Sequence, residues 1–197
     1  MKRNDYRIWL VAFGVWAFAG TRFGAAGDGI VLAQLEQDSP YVASYVPTPQ
    51  EVVDRMLQLA ELKSGDLLYD LGSGDGRVVM TAAQKYGVKA VGFEINPALV
   101  KTSRENIKAA GLEHLVEIRE EDIRTVDLSP ATVLTLYLYP GANLRLRPMI
   151  RSQLRPGSRV VSHQFDMGNW EPDRIERMTD STGISRTIYL WRVGRSQ

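Results

Sequence analysis

The sequence predicts an α/β protein, a Rossmann-like, doubly wound, mostly parallel sheet that ends in an antiparallel hairpin and carries helices on both faces. Short apolar runs that end at glycine alternate with segments of helical spacing, a pattern typical of a parallel sheet covered on both sides. The last two apolar runs are separated only by a turn, which is too short for a parallel return. A composition of 44% hydrophobic and 24% charged residues, without cysteine, suits one globular domain.

The first predicted helix begins at the sequence Thr-Pro-Gln-Glu, residues 48–51. Thr48 is a candidate N-cap, proline occupies the first helical position and glutamate stands three residues after the cap. Apolar residues then recur at helical spacing up to about Leu62. We therefore expect the folded domain to start with an amphipathic helix.

The remaining elements follow the same alternation. Helical spacing predicts helices at 78–86, 96–110 and 146–154, and apolar runs predict strands at 67–71, 90–94, 115–118, 131–139 and 159–162. Two further apolar runs, at 174–178 and 186–193, flank the turn-forming sequence at 180–183 and predict the antiparallel hairpin.

The N-terminus has the pattern of a targeting segment. Lys2, Arg3 and Arg7 precede an uncharged run at 8–20 that is shorter than the roughly 20 residues a membrane span needs. A secretory signal with small-residue cleavage sites is the favoured interpretation, and an uncleaved anchor is the alternative. Either would make the protein exported or membrane-anchored, with membrane association through this segment, whereas a mispredicted start would leave it cytoplasmic. We predict a signal-like or anchor segment and linker at 1–33 and the domain at 34–197, with its core at about 45–193.

Composition also limits the partners and metals to be expected. The formal net charge is +1, which gives no reason to expect a nucleic-acid partner. The absence of cysteine excludes thiolate metal sites and a cysteine nucleophile, and two histidines make a histidine-built metal site unexpected. No metal is predicted.

A glycine-rich loop, Asp-Leu-Gly-Ser-Gly-Asp-Gly at 70–76, stands where a predicted strand becomes a helix. Glycines allow a tight turn and a close approach of the backbone to a ligand, and ligands of open α/β sheets bind at the carboxyl ends of strands. Taken alone, the loop is also explained as a structural turn. Glu94 ends the next predicted strand and Asp122 follows the one after, so three successive strand ends carry suitable groups.

The two acids fit an adenosyl ligand. A carboxylate at Glu94 can accept hydrogen bonds from ribose hydroxyls, and one at Asp122 can accept from an adenine amine. The loop spacing is G-x-G-x-G and not the G-x-G-x-x-G of dinucleotide sites. Asp70 and Asp75 would repel a pyrophosphate, but they suit a cationic sulfonium with an amino group, so the sequence favours S-adenosylmethionine.

The sequences at 70–76, 92–97 and 121–123 resemble successive motifs of the class I S-adenosylmethionine-dependent methyltransferases. That family's sheet also places a reversed strand last, and the resemblance covers about 45–193. The sequences at 45–48, 71–77, 160–162 and 170–172 are similar to the small lysine methyltransferases of mitochondrial ATP synthase c-subunit and adenine nucleotide translocase. Those relatives are mitochondrial, whereas this N-terminus has a bacterial secretory pattern.

The resemblance implies S-adenosylmethionine as the cofactor and residues 34–197 as a methyltransferase domain. It assigns the methionine part to Asp70, Gly72 and Gly74, the ribose to Glu94, and the adenine to Asp122 and Ile123. The complete set of predicted cofactor-binding residues is Tyr45, Thr48, Asp70, Leu71, Gly72, Ser73, Gly74, Gly76, Glu94, Ile95, Asn96, Asp122 and Ile123.

The acceptor side is predicted at the ends of the fourth and fifth strands. Tyr137 and Tyr139 stand where the family lines its acceptor pocket, and His163 is a candidate base, although packing also explains each of them. A protein lysine is the favoured acceptor and a small molecule the second. A non-catalytic cofactor-binding module of the same fold is the alternative outside catalysis, and the loop spacing disfavours a nicotinamide oxidoreductase.

Overall fold

The computed structural model describes residues 45–194. The predicted signal or anchor segment at 1–33 and the linker after it lie outside the described residues. Within 45–194, no helix is both long enough and apolar enough to cross a membrane.

The described chain forms one seven-stranded sheet and four helices, and it confirms the predicted fold class. The strands are β1 (Leu67–Leu71), β2 (Lys89–Glu94), β3 (Val116–Glu120), β4 (Val133–Leu136), β5 (Arg159–His163), β6 (Arg174–Thr179) and β7 (Ser185–Arg192). In sheet order β3-β2-β1-β4-β5-β7-β6, the first five strands run parallel and β7 runs antiparallel to both β5 and β6. The helices are α1 (Gln50–Leu59), α2 (Arg77–Tyr86), α3 (Pro97–Ala109) and α4 (Pro140–Gln153).

The direction of chain progress across the sheet reverses between β1 and β4. From β1 the chain moves outward through β2 to β3, and then it returns to place β4 and β5 on the other side of β1. A crevice opens at the carboxyl ends of the strands where such a reversal occurs, and ligands bind there. The glycine-rich loop that follows β1 lies at this point.

Side chains that alternate along the strands fill a separate core on each face of the sheet. Leu68 and Val133 belong to the core that α1, α2 and α3 cover. Their sequence neighbours Tyr69 and Leu134 belong to the core that α4 covers, together with Trp191. Successive residues of a strand point to opposite faces, so these continuous apolar runs bury both sides of the sheet.

Several predicted boundaries were wrong. Helix α1 ends at Leu59 and not near Leu62, and α4 begins at Pro140 and not at 146. Thr48 does not cap α1, since the N-cap is Pro49 and no side chain caps the helix. The Thr48 hydroxyl is instead 3.2 Å from Nδ1 of His163. Strand β4 ends at Leu136 and not at Tyr139, because its pairing with both β1 and β5 ends at Leu136. Tyr139 is the extended N-cap residue of α4.

Candidate active site

The glycine-rich loop is fixed against the end of β2 by its own backbone. The amides of Gly72 and Ser73 both donate to the carbonyl of Phe93, at 2.9 and 3.0 Å. Gly72, Gly74 and Gly76 have φ values of 77°, 55° and 83°, which side-chain-bearing residues rarely adopt. The loop therefore keeps its shape through backbone hydrogen bonds and three left-handed glycines.

The three loop glycines face different neighbours. A Cβ on Gly74 would lie 2.6 Å from the ring of Tyr45, and one on Gly72 would lie 3.0 Å from Leu138. A Cβ on Gly76 would lie 3.2 Å from the Cβ of Ser103 in α3. Gly76 thus serves the packing of α2 against α3, whereas Gly74 allows Tyr45 to lie on the loop.

Glu94 is held by three backbone amides at the end of β2. Its Oε2 accepts from the amide of Gly74 at 2.9 Å, and its Oε1 accepts from the amides of Ile95 and Asn96 at 3.0 and 2.9 Å. The Asn96 side chain caps α3 by accepting from the amide of Ala98. A carboxylate oxygen accepts more than one hydrogen bond, so a rigidly held Glu94 keeps capacity for ribose hydroxyls.

Asp70 is buried beside β4, where its Oδ1 accepts a 2.7 Å hydrogen bond from the hydroxyl of Thr135. Burial, together with the negative charges of Glu94 and Asp75, raises the pKa of Asp70 to about 7. Among the described residues no lysine or arginine forms an ion pair with this carboxylate. The group is therefore an acidic site that a cationic ligand would stabilise.

Residues 45–48 lie over the loop, where Arg77 links them to it. The Arg77 guanidinium donates to the carbonyl of Thr48 at 2.8 Å and forms an ion pair with Asp75 at 2.6 Å. The hydroxyl of Tyr45 lies beside the same carboxylate, and burial together with the charge of Asp75 raises the pKa of this phenol. The chain before α1 is thus attached to the glycine-rich loop through Asp75 of the loop and Arg77 at the start of α2.

An aromatic cluster follows β4 and β5. The rings of Tyr137 and His163 are 4.0 Å apart between centroids, and Tyr137 also stacks on Phe165 at 6.2 Å. His163 is fully buried, and this burial together with the charge of Arg186 lowers its pKa to about 4. Its Nε2 has no hydrogen-bond partner among the described residues. Tyr139 is exposed as the N-cap of α4, so the two predicted tyrosines do not share one strand face.

The chemistry of the site and the comparisons with known proteins agree. Residues 70–174 match the ANTKMT methyltransferase domain family. This chain belongs to that family. It is an S-adenosylmethionine-dependent methyltransferase, which confirms the cofactor and the enzyme class that the sequence predicts.

Three similar proteins illustrate the relationship. The methyltransferase is 41% identical over 151 residues, 76% of its own length and 93% of the other, to a protein-lysine N-methyltransferase of Saccharolobus islandicus. It is 32% identical to the ATP synthase c-subunit lysine N-methyltransferase of Xenopus laevis, over 81% of this chain and 72% of that one. A solved RNA methyltransferase from Salinibacter ruber, in complex with S-adenosyl-L-homocysteine, is 53% identical, with a TM-score of 0.72 over 77% of this chain and 96% of the other.

The residues at the switch point of this methyltransferase fit its cofactor. Asp70 offers a buried carboxylate to a cationic methionine part, and the absence of side chains at Gly72 and Gly74 leaves the loop backbone open to close approach by a ligand. Glu94 offers fixed oxygens to ribose hydroxyls. When bound, S-adenosylmethionine supplies a methyl group on a positively charged sulfur. The individual contacts of these residues stay predictions.

The carboxylate on the predicted adenine side already has a cationic partner. Both carboxylate oxygens of Asp122 accept from Arg124, which also donates its amide to Asp122 at 2.9 Å. Ile123 is 4% exposed and packs into the core under α4. Contact of Asp122 with an adenine amine therefore requires the Arg124 guanidinium to share this carboxylate or leave it.

Three residues that organise the methyltransferase site were missed from the sequence. Arg77 directly follows the glycine-rich loop, and the loop pattern assigns it no role. Thr135 lies in a strand predicted from its apolar run, although a hydroxyl buried in such a strand signals a hydrogen-bond partner. Asn143 of α4 donates to the carbonyls of Phe165 and Asp166, both at 3.2 Å, and so positions the chain after β5.

Proposed function

We propose that this methyltransferase transfers the methyl group to the ε-amino group of a lysine in an acceptor protein. The observation that carries the proposal is 41% identity to the Saccharolobus islandicus protein-lysine N-methyltransferase across 93% of that protein. The Xenopus laevis relative is likewise named for a lysine in a protein.

The aromatic cluster after β4 and β5 suits a lysine. The stacked rings of Tyr137 and Phe165 present π faces, which attract an ammonium group and its alkyl chain. His163 stays neutral near pH 7 because its pKa is about 4, so it adds no positive charge to repel the incoming amine. We propose Tyr137 and Tyr139 as lining residues of the lysine entrance and His163 as their support.

RNA is the second candidate acceptor, because the Salinibacter ruber neighbour is named an RNA methyltransferase. Binding to RNA depends on basic groups that are available to phosphates. Three arginines beside predicted site residues are engaged with acids: Arg77 with Asp75, Arg124 with Asp122 and Arg186 with Asp180. This pairing favours a protein acceptor.

A transfer assay with methyl-labelled S-adenosylmethionine separates the two acceptors. The full chain would be incubated with polylysine, with total cell protein and with total RNA, and each product would be hydrolysed to identify the labelled unit. We expect labelled methyllysine, lost in Tyr137→Ala and retained in Glu113→Gln on the distant surface. Label confined to nucleosides, or no label in any of the three substrates, would overturn the proposal.

We also propose that residues 1–33 direct the domain to or across a membrane. The basic residues Lys2, Arg3 and Arg7 before an uncharged run support this targeting role. Cell fractionation with intact mass measurement tests it. A shortened chain outside the cytoplasm, or a full-length chain in the membrane fraction, would support targeting, and a full-length chain free in the cytoplasm would overturn it.

A further inference from the structure

Thr135 is the one side chain of the described residues that hydrogen-bonds Asp70. It faces Asp70 across the β1–β4 pair in register, and its hydroxyl lies 2.7 Å from Oδ1. The other carboxylate oxygen, Oδ2, has no hydrogen bond from any described residue. One oxygen of Asp70 is therefore fixed by the protein and the second remains able to accept from a ligand.

The surroundings of Thr135 make this contact specific. Its hydroxyl has one proton and two acceptors within reach, Asp70 at 2.7 Å and the carbonyl of Tyr69 at 3.3 Å. A charged, closer acceptor makes the stronger hydrogen bond, so the proton belongs to Asp70 when that carboxyl is ionised. Thr135 is fully buried, and its branched side chain has little rotamer freedom.

The Thr135 hydroxyl lowers the pKa of Asp70, whereas the other surroundings of this carboxyl raise it. Burial raises the pKa of Asp70 first, followed by the charges of Glu94 at the end of β2 and Asp75 in the loop after β1. The Thr135 hydrogen bond lowers the same pKa, and β4 contributes no charged group of its own. Without the hydroxyl, a larger share of Asp70 would be protonated near neutral pH.

We propose that Thr135 is a positioning residue for the cofactor: it holds the Asp70 carboxylate charged and oriented, so that Oδ2 accepts from the α-ammonium group of the methionine part. This role concerns only the cofactor half of the site. It does not depend on whether the methyl acceptor is a lysine, an RNA or a small molecule.

The test is isothermal titration of S-adenosylhomocysteine, which carries the same α-ammonium group, into the full chain between pH 6 and 8. Affinity in the wild type is expected to increase with pH, because deprotonated Asp70 binds the ammonium. Thr135→Val should weaken binding about tenfold at pH 7, the equivalent of one lost charge-assisted hydrogen bond, and should move the midpoint of the pH profile upward. Asp70→Asn should abolish the pH dependence.

Two variants keep the test independent of folding. Thr135→Ser retains the hydroxyl and should restore both the affinity and the wild-type midpoint. Thr132→Val removes the corresponding hydroxyl at the opposite end of the same strand pair and should leave both values unchanged. A Thr135→Val protein with wild-type affinity and an unshifted pH midpoint would overturn the proposal, as would a serine variant that behaves like valine.

Discussion

Each end of the paired strands β1 and β4 has an aspartate that accepts a hydrogen bond from a threonine. The pKa of the aspartate is lowered at the amino end and raised at the carboxyl end. At the amino end, Thr132 donates to Asp66 at 2.8 Å, and at the carboxyl end Thr135 donates to Asp70 at 2.7 Å. Both aspartates are buried, at 7% and 5% exposure. A low exposure and a threonine donor are therefore common to both ends, and the other neighbours of the two carboxylates set the ends apart.

A cation faces the aspartate at the amino end, whereas two further acids, Glu94 and Asp75, act on the aspartate at the carboxyl end. Arg159 of β5 forms an ion pair with Asp66 and also donates to the carbonyls of Ala60 and Glu61. Burial alone would raise the pKa of Asp66, but the hydrogen bonds from Arg159, the amide of Lys63 and Thr132 bring it below its ordinary value. Asp70 has no such partner among the described residues, and its pKa rises to about 7. At the amino end the acid is neutralised by an arginine of the protein, whereas at the carboxyl end the acid is left for a cationic ligand.

Removal of the cation at the amino end should have the largest effect on stability. Arg159→Met leaves Asp66 buried and unpaired, and breaking a buried pair in this way costs about 3–5 kcal/mol. Because the pKa of Asp66 is lowered, the wild type has the benefit of this pair at neutral pH and loses it as the pH falls below about 4. Urea unfolding at pH 7 measures the loss, and a change below about 1 kcal/mol would contradict the comparison.

Removal of the Asp70 charge at the carboxyl end should raise the free energy of unfolding, whereas removal of Arg159 lowers it. The pKa of Asp70 is raised, so its cost to folding appears as the pH rises from about 4 through about 7 and is complete above that. Asp70→Asn should stabilise the ligand-free protein at pH 8, on the order of 3 kcal/mol, and by much less at pH 4. Unfolding at the two pH values measures this, and a variant less stable than wild type at pH 8 would refute the assignment.

The fold and the placement of two acids at neighbouring strand ends could be predicted from the sequence because both leave local patterns. Glycines stop the buried strands, and Asp70 and Glu94 stand at the ends of two strands that are adjacent in the sheet. Local patterns fail where a residue's partner is distant in the chain. Thr48 has the pattern of a helix cap with Glu51, yet its hydroxyl reaches His163 and the carboxylate of Glu51 accepts from the amide of Ser181.

The boundary of β4 shows a second kind of failure. Hydrophobicity continues from the strand through Tyr137 and Tyr139, so an apolar run alone extends the strand too far. The end of the strand is set by its neighbours, since the pairing with β1 and β5 stops at Leu136, and side-chain character does not report where pairing stops. Arg77 and Thr135 were missed because their acceptors, the carbonyl of Thr48 and the carboxylate of Asp70, become neighbours only in the folded sheet.

The two threonines should differ in their value to stability. Thr132 donates to Asp66 and accepts from the amide of Leu67 at 3.0 Å, so Thr132→Val leaves two buried groups short of a partner and should cost about 1–2 kcal/mol. Thr135→Val should cost less in the ligand-free protein, because Asp70 can take up a proton when it loses its donor. Urea unfolding of both variants at pH 7 compares them, and equal losses would mean that Asp70 stays charged.

The smallest effect on stability is expected at a solvent-exposed ion pair, which joins an arginine to a carboxylate as the buried pair of Arg159 and Asp66 does. Arg192 pairs with Glu61 at 2.8 Å, and the Glu61 side chain is 59% exposed. Solvent screens this attraction, and an exposed pair loses side-chain entropy when it forms. Glu61→Gln should leave the urea midpoint within error of the wild type. If it lowered the midpoint as much as Arg159→Met does, burial would not be the reason for the strength of the buried pair, and the contrast between the two ends of β1 would need another cause.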